Sequence, residues 1–184
     1  MQRLDLFLQR ARIRRAVDRV DRGAKVLDIG CHEGELGRAL EAVDCDYFGS
    51  DSTVAHTSDR LAVGHFPDDL PPTWITGDFD HLVALAVLEH VPADRLHELF
   101  SIARRCLRPG GTFIATVPSP VTDHVLDALS KLRLIDGMDL DAHDGLTIDE
   151  LKVAAAAAGL QLSAHQRFQF GFNNSLVWSR LPDD

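Results

Sequence analysis

The sequence predicts an α/β fold: a doubly wound, mostly parallel sheet with helices on both faces and an antiparallel edge strand. Three observations carry this. Short apolar or β-branched runs alternate with helical stretches along the first two thirds of the chain, the order that builds parallel sheets covered on both sides. The run Lys25-Val26-Leu27-Asp28-Ile29 stops abruptly at a glycine, as a buried parallel strand does at its turn. Two late segments, 160–168 and 172–180, read as a closing antiparallel pair.

The elements follow in order. Leu4, Leu8, Ala11, Ala16, Val17 and Val20 fall near helical spacing with arginines on the other face, and Gly23 ends that helix. After the strand at 25–29, residues 35–42 resume helical character, and 46–51 form a second strand that ends on an acid. Residues 60–63 are a third strand with Gly64-His65-Phe66-Pro67 as its exit, followed by a loop rich in Asp and Pro. Leu82 to Val87 are the fourth strand, entered through Phe79-Asp80. A helix starts near Pro92 and runs to Leu107, Pro109-Gly110-Gly111 stops it, and Thr112 to Val117 are the fifth strand. Thr147 and Glu150 have capping-box spacing before an alanine-rich helix that Gly159 closes. The chain of 184 residues reads as one domain, with an N-terminal helix over 1–22 and an insert over 118–145.

Composition narrows the function classes. An apolar fraction of 45% and a charged fraction of 26% are those of a globular chain. The net charge of -9 argues against a nucleic-acid backbone as partner. Arg3, Arg10, Arg12, Arg14, Arg15, Arg19 and Arg22 are a local exception, open to two readings: a solvated helix face, or a docking surface for something anionic. Cys31, Cys45 and Cys106 show no paired spacing, so reduced thiols are expected. No apolar run reaches the ~18 residues of a membrane span. A cytoplasmic protein without a membrane span is the expectation.

The chemistry concentrates in Val26-Leu27-Asp28-Ile29-Gly30-Cys31-His32-Glu33-Gly34. In open α/β sheets ligands sit at the carboxyl ends of strands. Glycines at Gly30 and Gly34 would let backbone approach such a ligand. Asp51, at the end of the next strand, is placed to accept both hydroxyls of a ribose. A dinucleotide fingerprint needs glycine where His32 stands, and Glu33 would repel a pyrophosphate. A carboxylate suits a cationic amino acid and sulfonium instead.

These residues resemble the class I S-adenosylmethionine-dependent methyltransferases, in the small-molecule branch whose first motif reads V-L-D-x-G-C-G-x-G. Tyr47 to Asp51 look like the family's second-strand acid, Val87-Leu88-Glu89-His90-Val91 like the segment after its fourth strand, and Leu107 to Thr112 like the turn before its fifth. The resemblance spans about Arg12 to Leu160 and implies a Rossmann-like fold, S-adenosylmethionine as cofactor and methyl transfer to a small-molecule acceptor. It implies that Asp28, Gly30 and Cys31 shape the methionine end, that Asp51 holds the ribose, and that His65, Phe66, Leu85 and Ala86 flank the adenine; Gly34 and Ser52 are further candidates for the cofactor site. Two departures stand out: His32 replaces a family glycine, and His65 replaces the usual acid after the third strand. The short stretch between Asp51 and Asp80 implies that a family helix is cut down.

Methyl transfer from a sulfonium is an in-line displacement in which alignment supplies much of the rate, with a general base where the acceptor must lose a proton. His90 and His143 are the candidate catalytic residues. For His90 a turn-bracing role is the competing reading, and for His143 a solvent-facing loop position. Asp139, Asp141, His143 and Asp144 lack a metal-ligand signature and read as a hydrated loop, so no metal is expected. Residues 118–145 are the expected acceptor lid. Two other functions stay open: a non-catalytic cofactor-binding subunit, and a nucleotide-dependent oxidoreductase.

Overall fold

The computed structural model describes residues 3–119 and 146–182, with side chains from residue 6 onward. Seven strands form one sheet in the order β3-β2-β1-β4-β5-β7-β6. β1 (Lys25–Ile29), β2 (Asp46–Asp51), β3 (Leu61–Val63), β4 (Phe79–Leu85) and β5 (Leu107–Pro118) run parallel to one another. β7 (Asn173–Arg180) pairs antiparallel with β5, and β6 (Leu160–Phe168) antiparallel with β7 at the edge. The strand order reverses between β1 and β4, which leaves a crevice at their carboxyl ends.

Alternation along each strand divides the core in two, because successive side chains point to opposite faces. Leu27, Leu82, Phe113 and Leu176 enter one cluster with Leu99, Phe100, Leu151 and Ala155. These last four belong to α3 (Leu96–Cys106) and α4 (Ile148–Ala157). Val26, Val83, Ile114 and Val177, each next in sequence to one of the four strand residues Leu27, Leu82, Phe113 and Leu176, enter the other, with Ala16, Leu36 and Leu40. That face is covered by α1 (Arg3–Val17) and α2 (Glu35–Leu40). The expected two-faced α/β architecture is therefore present.

Several boundaries differ from the sequence expectation for local reasons. β4 ends at Leu85 rather than Val87, because Ala86 turns into the left-handed region (φ 58) while its N–H still reaches the Thr116 carbonyl. Pro92 precedes a 3-10 turn, Ala93–Arg95, so α3 starts only at Leu96. That helix ends at Cys106, ahead of Pro109-Gly110-Gly111, and Leu107 already pairs with Phe79. α1 stops at Val17, and α2 stops at Leu40 before a 3-10 turn. Between β2 and β4 the only helical turn is Pro72–Trp74, consistent with the shortened stretch. The Thr147–Glu150 capping box is formed in both directions. Residues 120–145 of the expected insert, including His143 and the acid-rich loop around it, lie outside the described residues. Among the described residues no helix is long and apolar enough to cross a membrane.

Candidate functional site

A cavity of about 550 Å³ opens at the carboxyl ends of β1, β2 and β4. The turn after β1 forms one side of it. Gly30 takes φ +75, and a Cβ there would lie 2.4 Å from Val87 Cγ2. The N–H groups of Gly30 and Cys31 both donate to the Ser50 carbonyl, at 2.8 and 3.2 Å, which ties this turn to β2. His32 takes φ 46, supplying with a side chain the left-handed conformation that a glycine would adopt freely. Gly34 follows at φ +77 as the N-cap of α2.

Four acids line the cavity: Asp28, Glu35, Asp51 and Asp68. Asp51 is held by its own loop. One carboxylate oxygen accepts the Thr53 N–H (2.7 Å) and hydroxyl (2.6 Å), and the other accepts the His32 N–H (2.9 Å). Partial burial works to raise its pKa, but the Thr53 and His32 donors outweigh it and hold Asp51 below the ordinary carboxylate range. Asp28 is the opposite case. It is 3% exposed, and burial lifts its pKa to about 7 against the hydrogen bond that Tyr47 donates at 2.8 Å. The Cys31 thiol is pushed up to about 12, first by burial and then by Asp28 and Asp51, which makes it an inert wall rather than a nucleophile.

The opposite bank comes from the exits of β3 and β4. His65 donates its N–H to Asp69 at 2.9 Å, and Phe66 packs against the larger core cluster. Leu85, Ala86 and Val87 add an apolar surface. His90 is exposed at this bank, beside Val91 and Arg95. Arg95 bridges Asp68 at 2.6 Å and Glu98 at 2.8 Å. A third contribution comes from α1, through Gln9, Arg12 and Ile13. Arg12 donates to Asn173 on β7 at 3.3 Å.

Of the expected cofactor residues, Asp28, Gly30, Cys31, Asp51, Ser52, His65, Phe66, Leu85 and Ala86 all line this one cavity, and so does His90. Gly34 does not. A Cβ there would meet nothing within 4 Å, so its glycine serves the positive φ and not a close ligand approach. At Gly30 too the space is claimed by Val87. Glu33, expected to face a bound ligand, is turned outward, and Glu35 lines the cavity in its place. His143 lies outside the described residues. Sequence reasoning missed Gln9, Arg12, Ile13 and Arg95. For Arg12 the only signal was the arginine-rich character of α1. Among the described residues, His32, Glu33 and Glu35 bring three possible ligand atoms within 4.8 Å, but His32 and Glu33 are exposed, and such groupings are ordinary at protein surfaces without a metal.

Comparison with known proteins places the chain. The ubiquinone biosynthesis O-methyltransferase of Psychrobacter arcticus is 28% identical over 153 residues, covering 74% of this chain and 59% of that protein. The protein of the same name from Pseudomonas aeruginosa is 28% identical over 162 residues, covering 76% and 66%. The chain thus spans about three fifths to two thirds of the length of these curated relatives. A TehB-like SAM-dependent methyltransferase from Corynebacterium glutamicum superposes with a TM-score of 0.67 at 19% identity, covering 92% of this chain and 86% of that one. It shares the fold. A family model described as a methyltransferase domain matches residues 3–165, and the chain belongs to that family.

Proposed function

We propose that this chain transfers a methyl group from S-adenosylmethionine to a small-molecule acceptor. The observation that carries the reading is the charge on one side of the cavity: Asp28, Glu35 and Asp51 gather at the strand-end crevice, while the fourth acid, Asp68, is paired with Arg95 on the opposite bank. Such a set suits a cation and opposes a pyrophosphate, which weighs against the nicotinamide alternative. The volume falls within the roughly 300–1,000 Å³ of small-molecule sites. Asp51 has one carboxylate oxygen taken by both Thr53 donors and the other holding only the His32 N–H, so the remaining lone pair of that second oxygen is aimed before a ribose arrives. Phe66, Leu85, Ala86 and Val87 offer an apolar bank for an adenine. Asp28 and Cys31 stand at the end that would take the methionyl group.

When bound, the donor supplies an activated methyl group and its own leaving group. The protein's part is to hold the acceptor in line, which for well-oriented reactants is worth about 7–11 kcal/mol, and to exclude water. The curated relatives support an oxygen acceptor. A hydroxyl must lose its proton, and His90, exposed on the cavity wall, is the proposed acceptor of it. His143, in the segment 118–145, is the second candidate. We place the protein in the cytoplasm, where the donor is made and thiols stay reduced.

The test is calorimetric titration with S-adenosylmethionine and with a nicotinamide dinucleotide, followed by turnover of labelled donor on a panel of phenols and catechols. Binding of the first alone, with label transferred to a hydroxyl, is the expected result. Binding of the dinucleotide alone would overturn the reading. Donor binding with no turnover on any acceptor would favour a non-catalytic subunit.

A further inference from the structure

We propose that Tyr47 is a positioning residue for the cofactor: its hydroxyl, reaching across from β2, fixes the Asp28 carboxylate as the counter-charge at the methionyl end of the cavity. The inference rests on the cofactor reading above.

The geometry begins with strand register. Asp28 pairs with Gly49, and Val26 with Tyr47, so Tyr47 is the diagonal neighbour of Asp28 on the same face of the sheet. Gly49 offers no side chain opposite Asp28, and the room beside it is filled by Cys31, whose Sγ would lie 2.9 Å from a Cβ at Gly49. The partner of Asp28 therefore has to come diagonally, and the Tyr47 hydroxyl does so at 2.8 Å. The ring is held from behind by α2. A Cβ at Gly37 would sit 2.8 Å from Tyr47 Cε1, so the helix packs backbone directly against the ring. Tyr47 does not itself line the cavity, whereas Asp28 does.

The groups facing Asp28 define what this contact does. Asp51 from β2 and Glu35 from α2 both disfavour its charge, and burial disfavours it more than either. His32 from the turn and Arg12 from α1 line the same cavity, and β4 offers apolar Leu85. Tyr47 is the hydrogen-bond donor that opposes these effects. Burial and then Asp28 itself push the Tyr47 pKa upward, so the phenol keeps its proton and remains a donor. Entry of a cationic methionyl group requires Asp28 ionised, so protons and cofactor compete for it. Below its pKa of about 7 the cofactor loses, and above it the cofactor wins.

The experiment is calorimetric titration of S-adenosylmethionine into the parent, Y47F and D28N across about pH 5.5–9. Affinity of the parent should bend near pH 7, the value to which Asp28 is raised. In Y47F the bend should rise by about one pH unit, so binding at pH 7 weakens about fivefold while the two proteins converge at the alkaline end. D28N should lose the bend altogether. A Y47F protein with an unmoved bend, or with the same deficit at every pH, would overturn the proposal. A bend that persists in D28N would do so even if Y47F did not fold. A parent that binds no donor at any pH would sink the cofactor reading and this inference together.

Discussion

Replacement of Gly30 by alanine tests how the turn after β1 is built. At φ +75 an L-residue pays for the left-handed conformation, about 1–2 kcal/mol. The new methyl also lands 2.4 Å from Val87 Cγ2. Valine is stiff at χ1, so either Val87 rotates or the end of β4 shifts, and overpacking of this kind costs about 1–3 kcal/mol. The two effects together predict a loss of about 2–5 kcal/mol. Gly34→Ala is the matched control, since its φ is +77 but a Cβ there meets nothing within 4 Å. It should lose only the conformational part, about 1–2 kcal/mol. Urea denaturation read by far-UV dichroism, with unchanged m-values, measures both. Adding Val87→Ala to Gly30→Ala should recover the packing share, since a contact pair is not additive. If Gly30→Ala and Gly34→Ala cost the same, Val87 is not what excludes a side chain, and the close approach described here is wrong.

Three other outcomes follow from the same site and its surroundings. Asp51→Ala should weaken S-adenosylmethionine binding about tenfold or more by calorimetry, because hydrogen bonds to a charged group carry about 1.5–3 kcal/mol; unchanged affinity would remove Asp51 from the site. Asp28→Asn should stabilise the ligand-free protein. The folded pKa of about 7 lies above the ordinary aspartate value of 3.8, so the stability Asp28 contributes is present below the lower value and lost as pH rises through the higher one. The gain at pH 8 should be on the order of 2–4 kcal/mol and shrink toward pH 4, and urea melts at the two pH values that show equal gains would refute it. Thr147→Ala should lower stability by about 1 kcal/mol through loss of the N-cap of α4, checked by the thermal midpoint.

The bounds of β1 and β2 were legible to the residue, because each is a short run ending where a glycine or an acid must turn. The order of elements and the closing antiparallel pair were legible for the same reason: periodicity and turn residues are local properties. The site was legible only where the motif is local. Which acid after Gly30 faces the cavity depends on two departures into positive φ, at His32 and Gly34 on either side of Glu33, and residue spacing cannot choose between Glu33 and Glu35. Gly34 illustrates a related limit, since a glycine required by backbone conformation and one required by space look alike in a sequence. Arg12 was hidden more deeply. It meets the site through Asn173, 161 residues away, a contact that exists only once β7 has paired with β5.

β3 has a consequence beyond its size. It is a three-residue outermost strand hydrogen-bonded to β2, yet its exit carries Gly64 to Asp68, one wall of the cavity. Short outer strands peel away from a sheet at far lower free energy than central ones. One wall of the crevice is thus mounted on the central pair β1 and β4, and another on the segment that follows the weakest-held strand of the sheet. Amide protons at Leu61–Val63 should therefore exchange faster than those at Leu82–Ala84, and filling the crevice should slow the first set while leaving the second nearly untouched.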